Sequence, residues 1–183
     1  MKNIIKQIKD DFMILNQKFI DESIDRYDFW ENHIKFVVKN ALSLARKYDA
    51  DKEIVQLGAL LHDIALVEKV GTKLDHHTNG AKIAEEILTN YNYPKEKRDK
   101  VVGCVLHHRS SKNAENIEEL CVADADILAH FDNQEKFIKI FNWTKEETLK
   151  FCQKDFDDLS DKTKEWIKPK YEKKVKEILE KNF

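Results

Sequence analysis

The stretch that most restricts the fold of this chain is IVQLGALLHDIALV, which runs from residue 54 to residue 67. Drawn as a helix, it carries apolar residues on every face, so it must be buried on all sides. His62 and Asp63 interrupt it, and an imidazole beside a carboxylate is costly in a core unless something pairs with both. The pairing group is either another side chain or a metal ion.

The scarcity of chain-breaking residues indicates helices throughout. The 183 residues include four Gly and two Pro, and 42% are hydrophobic while 36% are charged. This composition is typical of a globular protein, and the length suffices for one hydrophobic core. We therefore expect a single all-α domain, a helical bundle, over residues 1–183.

Charge and patterning exclude several classes of partner. The net charge is −2 with both signs mixed along the chain, which gives no reason to expect a nucleic acid polymer. No apolar run is long enough to span a bilayer, and the amphipathic N-terminus carries acids, unlike a signal peptide. The three cysteines are far apart in sequence, as expected of buried thiols in a reducing compartment. These features favour a cytoplasmic protein.

Breaks and capping residues divide the chain into successive helices. Asp51, Asp75 and Thr144 stand where helix N-caps are expected. The predicted helices cover residues 3–20, 28–48, 54–64, 76–90, 94–108, 117–131 and 170–181, with a further helix after Thr144.

Several histidines fall on apolar faces or at helix ends. His33 shares a face with Trp30 and Val37. The pair His76-His77 opens one helix, and the run His107-His108-Arg109 closes the next. Each has an ordinary explanation alone: a core histidine bonded to a carbonyl, a solvated helix start, or a favourable dipole interaction at a helix end.

Two carboxylates lie on the helix predicted over residues 117–131. Asp124 lies in the middle of its apolar stripe, and Asp126 lies nearly opposite. At a spacing of two residues, both are not expected to bind the same ion. The helix-face pattern favours Asp124 as the one that joins a site.

One metal site would satisfy all these groups together. Imidazole and carboxylate ligands without thiolates suit Mn, Fe, Co, Ni or Zn, so a divalent transition metal is expected. The alternative is an all-α protein whose core histidines are satisfied by hydrogen bonds.

The order of these residues resembles the HD superfamily of metal-dependent phosphohydrolases. His33 comes first, His62-Asp63 follows at the end of an apolar helix, and a late aspartate lies in VADADILAHF. The segments HHTNGAKIAEEIL and VLHHRSS match as well, so the resemblance covers about residues 28–132. Residues 133–183 are expected to form helices that pack on this core, with an apolar set that serves the bundle or a dimer face: Phe137, Ile138, Ile140, Phe141 and Trp143.

The resemblance implies a specific set of ligands. One ion would be held by His33, His62, Asp63 and a late aspartate; the family pattern favours Asp126, with Asp124 in reserve as a neighbour that acts through a ligand. One ion is expected and two are possible. The further histidines resemble the subset with two metals, in which Asp63 would bridge the ions, whereas single-metal members often use such histidines on the substrate phosphate. The second ion would then use His76, His107 and His108, with His77 as the alternative to His76.

The resemblance also implies an activity, the hydrolysis of a small phosphate ester such as a nucleotide by an activated water. His107, His108 and Arg109 would neutralise the phosphate oxygens, and Asp63 or Asp124 would orient the water or take its proton. The run HDIAL departs from the family, because Ala65 replaces a glycine and Leu66 stands where relatives carry a lysine or an acid. Two other readings stay open: a two-iron oxygenase of the same fold, and a module that binds metal or nucleotide without turnover.

Overall fold

The computed structural model describes residues 4–24, 26–133, 138–139 and 142–180. Within these residues the chain is helical and contains no strand, which confirms the predicted all-α class. A π-helical turn, Trp30–Ile34, leads directly into α2, and a 3-10 turn, Ser111–Asn113, precedes α7. The α-helices are α1 (Ile4–Glu22), α2 (Lys35–Tyr48), α3 (Lys52–Leu61), α4 (Ile64–Val67), α5 (His76–Asn90), α6 (Lys95–His107), α7 (Ile117–Asp132), α8 (Lys145–Asp158) and α9 (Asp161–Glu180).

The core is built around α3 and α7, which are buried along most of their length, as the apolar run in α3 predicted. Helix α3 packs against α1, α2, α6 and α7, and α7 packs against α2, α6 and α8. The close approach of α3 to α6 depends on Gly58, where an added Cβ would lie 2.6 Å from the Cβ of Cys104. No described helix combines the length and the apolar composition needed to cross a membrane.

Two of the three expected N-caps are confirmed. The Asp51 carboxylate accepts hydrogen bonds from the backbone N–H groups of Glu53 and Ile54, and Thr144 forms a capping box with Glu147. Asp75 does not cap α5, because its carboxylate instead accepts from the backbone N–H and the hydroxyl of Thr72 at 2.6 and 2.8 Å.

The helix predicted over residues 54–64 ends earlier than expected. Helix α3 stops at Leu61, and Asp63 leaves helical geometry with φ −104° and ψ 16° before α4 restarts the helix at Ile64. This φ/ψ region is sparsely populated and common at active sites. The break matters for function, because His62 and Asp63 occupy it.

The last helix begins nine residues before the predicted start, and Pro169 lies inside it. A proline within a helix removes one backbone hydrogen bond and costs about 3 kcal/mol, but Thr163 and Ile167 are buried and anchor the first turns of α9. Tertiary packing therefore overrides the proline as a helix stop. Of the apolar residues after α7, Trp143 packs its ring on Phe151, whereas Phe137, Ile140 and Phe141 lie outside the described residues.

Candidate metal centre

His33 is positioned by the π-helical turn. The backbone N–H of Lys35 donates to the carbonyl of Trp30, five residues earlier, so the turn is one residue wider than in an α-helix. The buried Asn16 of α1 fixes the start of the turn, since its side chain accepts from the N–H of Phe29 at 3.0 Å and donates to Asp28 at 2.9 Å. Single π-turns inside α-helices are frequent at functional sites, and this one carries His33 on its buried side.

His62 and Asp63 enter the same region from the break between α3 and α4. The Nδ1–H of His62 donates to the carbonyl of Ala59 at 2.8 Å, which directs Nε2 to the interior. His62 has no exposed surface, and Asp63 is buried as well. Because Asp63 is not helical, the two neighbouring side chains converge instead of pointing about 100° apart.

The first set of potential ligands comprises His33, His62, Asp63 and Asp126. The Nε2 atom of His33 lies 3.1 Å from Nε2 of His62, 3.6 Å from Oδ2 of Asp63 and 3.0 Å from Oδ1 of Asp126. The Nε2 atom of His62 lies 3.4 Å from Oδ2 of Asp63 and 3.7 Å from Oδ1 of Asp126. Ligands bonded at about 2.1 Å to one ion lie about 3.0 Å apart in an octahedron and about 3.4 Å apart in a tetrahedron, so these spacings suit a single metal ion.

The second set uses the other oxygen of Asp63. Oδ1 of Asp63 lies 3.2 Å from Nε2 of His76 and 3.7 Å from Nε2 of His108, and the two Nε2 atoms are 3.0 Å apart. His76 opens α5 and His108 follows α6, so four separate segments meet at Asp63. The carboxylate of Asp63 thus lies between two groups of potential ligands.

The hydrogen bonds of these histidines test whether a cation fits the site. His76 and His108 each point Nδ1 at a backbone carbonyl, that of Lys73 at 2.8 Å and that of Val105 at 2.7 Å. A carbonyl only accepts, so both Nδ1 atoms carry the proton, and in neutral rings both Nε2 atoms present lone pairs. Two lone pairs 3.0 Å apart repel each other, and a cation bound by both converts that repulsion into ligation. The donor set therefore fits a divalent transition metal.

The protonation of the metal-free cluster reflects its two carboxylates. Burial lowers the pKa of His62, but the adjacent Asp63 outweighs it and raises that pKa to about 9. Burial and the positive charge of His62 lower the pKa of His108 to about 4. Despite burial, which raises it, the pKa of Asp63 is held well below its usual range by His62 and His76. The carboxylates thus stabilise positive charge in the core, which protons carry in the metal-free cluster and a bound metal ion would carry in their place.

Three residues expected near the phosphate or the second ion lie outside these ligand sets. Among the described residues, the possible ligand groups include neither His107 nor His77. The Nδ1–H of His107 donates to the buried carboxylate of Glu119 at 2.8 Å, so its ring is turned toward α7. Arg109 is exposed and donates to the carbonyl of Leu74 at 2.9 Å. The structure therefore separates His108, which lies in the cluster, from its neighbours in sequence.

Asp124 lies in a different environment from Asp126. It is fully buried, and its two oxygens accept four hydrogen bonds: from the hydroxyls of Ser111, Ser160 and Thr163 and from the backbone N–H of Ser160. These donors join α7 to the start of α9. The apolar-face pattern correctly placed Asp124 in the core, but it wrongly favoured Asp124 as the residue that joins the site. Asp126, which the family resemblance favoured, is the aspartate that meets His33.

His130 was missed by the sequence reasoning. It lies four residues after Asp126 on α7, and one of its ring nitrogens lies within 4.8 Å of the ligand atoms of His33 and Asp126. The rings of His33 and His130 stack at a centroid distance of 5.8 Å. The spacing of four residues was the signal that could have found it, since it places both side chains on one helix face.

Comparison with known proteins gives a family match. A sequence model of the HD domain family matches residues 30–130. A Clostridium beijerinckii protein, described as uncharacterized, is 30% identical over 110 residues, which cover 60% of this chain and 69% of that protein. A crystal structure described as a predicted HD superfamily hydrolase, from an uncultured Thermotogales bacterium, is similar at a TM-score of 0.58 and 20% identity. This similarity covers 80% of this chain and 84% of that one, and it shows the fold.

Two further relatives are longer proteins. The tRNA (cytidine(56)-2'-O)-methyltransferases of Thermoplasma volcanium and Picrophilus torridus are each 32% identical, over 129 and 148 residues. The matches cover 62% and 70% of this chain but 35% and 39% of the methyltransferases. This chain thus spans well under half of those two relatives.

Substitution of Asp124 is expected to lower mainly the stability of the protein, and substitution of Asp126 mainly its metal affinity. Asp124→Ala leaves four donors, two of them buried, without their acceptor and should lower the free energy of unfolding by about 3 kcal/mol. Asp126→Ala should abolish tight metal binding with a smaller loss of stability. Urea unfolding measures the stability of both variants, and metal titration measures their affinity. An Asp124→Ala protein that stays stable but loses metal would contradict the assignment of Asp126 as the ligand.

Metal uptake is expected to release protons. His62, with a pKa of about 9, is protonated at pH 7 in the metal-free protein, and ligation needs its free lone pair. Affinity should therefore rise with pH, about tenfold per unit if one proton is released, and level off as pH passes the His62 pKa. Calorimetric titration in buffers of different ionisation enthalpy counts the protons. An affinity that is flat between pH 6 and pH 8 would contradict this assignment.

Proposed function

Because the chain belongs to the HD domain family, we propose that it is a metal-dependent hydrolase of a small phosphate ester, with a two-metal site centred on Asp63. The first ion would be held by His33, His62, Asp63 and Asp126, and the second by Asp63, His76 and His108. The proposed ions are divalent transition metals, in keeping with the nitrogen and oxygen donors. A nucleotide is the proposed class of substrate.

The observation that carries the proposal is the position of the Asp63 carboxylate. Its Oδ2 lies 3.4 Å from Nε2 of His62, and its Oδ1 lies 3.2 Å from Nε2 of His76. One carboxylate with an imidazole near each oxygen is an arrangement suited to bridging two ions. Metals bound by these residues would supply a nucleophile from water near neutral pH and would stabilise charge on phosphate oxygens.

Backbone carbonyls fix the orientation of three histidine rings in the site. Carbonyls of Ala59, Lys73 and Val105 each accept the Nδ1–H of a cluster histidine, which fixes the ring orientation and the tautomer. His108 is 1% exposed, so its role is internal rather than contact with substrate. A substrate phosphate would instead have to approach past the cluster residues with more exposed side chains, which are Asp126 at 18% and His76 and Asp63 at 11%.

Positive groups flank the α5 side of the cluster. Burial is the largest cause that lowers the pKa of His77. The positive charges of Arg109, His76 and His107 lower it further. Arg109 is anchored to Leu74 through one guanidinium nitrogen, which leaves further donors for an anion. We assign Arg109, with His107 and His77, to contact with phosphate oxygens.

The HDIAL departure is compatible with this assignment. Leu66, which stands where relatives carry a lysine or an acid, has no charged group, and neither does its fully buried neighbour Ala65. The cationic contribution to phosphate binding then comes from the segment after α6 instead. This is the role assigned to Arg109.

Phosphate release from a panel of nucleotides and small phosphate esters tests the proposal. Wild-type protein, Asp63→Ala and the exposed control Glu68→Gln would each be assayed with Mn, Fe(II), Co, Ni, Mg or Zn. We expect turnover that requires metal and is reduced on the order of 10³-fold or more by Asp63→Ala, with Glu68→Gln equal to wild type.

The same preparations separate the proposal from its rivals. Oxygen consumption by the iron-loaded protein without phosphate release would indicate the two-iron oxygenase chemistry instead. A metal-loaded protein that is thermally stabilised by a nucleotide but does not consume it would indicate a binding module. Either result would overturn the hydrolase proposal.

A further inference from the structure

We propose that His130 is an additional ligand of the metal ion at His33 and Asp126, and that Asp155 of α8 orients it. The inference rests on the metal site of the proposed function but not on the reaction carried out there. It assigns part of the site to a helix that lies beyond the family match, which ends at residue 130.

Helix α7 brings His130 to the site. Asp126 and His130 are one helical turn apart, so both side chains project from the same face toward the π-helical turn that carries His33. The ring of His130 lies nearly parallel to that of His33, with an interplanar angle of 23°. Its potential ligand atom and those of His33 and Asp126 all lie within 4.8 Å of one another.

Asp155 gives His130 the geometry of a ligand. Its carboxylate, which is 4% exposed, accepts the Nδ1–H of His130 at 3.0 Å. Since Nδ1 is committed to Asp155, we assign Nε2 as the ligating atom. A carboxylate hydrogen-bonded to the far nitrogen of a metal-bound histidine fixes its tautomer and raises its basicity, and such partners recur at metal sites.

Ligation by His130 requires the ring to move toward the other ligands. Two ligands bonded at about 2.1 Å to one ion lie about 4.2 Å apart when opposite and about 3.0 Å apart when adjacent, so groups within 4.8 Å need to close by up to about 0.6 Å or about 1.8 Å, respectively. His130 lies near the end of α7 and 26% of its side chain is exposed. Its ring also packs on Phe151 at a centroid distance of 5.5 Å, so the movement would carry both rings together or open this contact.

A fifth protein donor affects the choice of metal. With His130, the first ion would have five protein ligands: His33, His62, Asp63, Asp126 and His130. Structural and catalytic zinc sites hold four ligands in a tetrahedron, and catalytic ones keep one of these for water or substrate. Five protein donors and one open position instead suit a six-coordinate ion such as Mn(II), Fe(II), Co(II) or Ni(II).

Co(II) binding to the full chain tests the inference without any turnover assay. The Kd would be measured by competition with a fluorescent chelator, and the visible absorption of bound Co(II) would report its coordination. The variants are His130→Ala and Asp155→Asn. The matched controls are Asp157→Asn, which changes an exposed carboxylate on the same helix as Asp155, and Lys154→Ala, which truncates an exposed side chain on that helix.

We expect Asp155→Asn to weaken Co(II) binding about 10–100-fold. We expect His130→Ala to weaken binding at least as much and to increase the visible absorption of bound Co(II), because the coordination number falls. Both controls should bind as wild type does. Circular dichroism and the Tm of the metal-free variants establish that each is folded. If His130→Ala misfolds, Asp155→Asn, which keeps the shape of the side chain, decides the question.

Wild-type Kd and an unchanged Co(II) spectrum in both folded variants would overturn the inference, even if turnover fell. Weakened binding by the controls to the same extent would overturn it too, because the effect would then be general. If no phosphate is released but His130→Ala and Asp155→Asn weaken Co(II) binding as expected, the result would count against the proposed function alone.

Discussion

The structure depends on the close approach of histidine Nε2 atoms inside a core that excludes water. The pairs His33–His62 and His76–His108 place these atoms 3.1 and 3.0 Å apart, and carbonyls hold the far nitrogens of three of the four rings as donors. Neutral imidazoles at this distance repel each other unless a proton or a metal ion lies between them. The carboxylates of Asp63 and Asp126 would balance the charge of either cation.

Two local departures from α-helical geometry make this approach possible. The π-helical turn carries His33 inward, and the break at Asp63 lets two neighbouring residues face one point. Around them, the continuously buried α3 and α7 provide a rigid support, so the irregular backbone is confined to the site. The regular apolar helices form the core, and the two irregular backbone segments position His33, His62 and Asp63 in the candidate metal centre.

Much of this could be predicted from the sequence, because caps and apolar periodicity are local properties. The buried helix around residues 54–61 and the cap at Asp51 follow from residues close in the chain. The choice between Asp124 and Asp126 could not be made from helix faces, since α7 is buried nearly all round and both faces meet protein. The hydroxyl groups that satisfy Asp124 come from Ser111, Ser160 and Thr163, and no local signal places them there. Asp155 and the early start of α9 depend in the same way on tertiary packing.

The most direct measurement of the central claim is anomalous X-ray diffraction from crystals of the protein grown or soaked with Mn(II) or Co(II). We expect two anomalous peaks in the core, one on each side of the Asp63 carboxylate, with His33, His62 and Asp126 around one peak and His76 and His108 around the other. Crystals that hold metal only at the surface, with the histidine pairs unchanged and no peak beside Asp63, would contradict it.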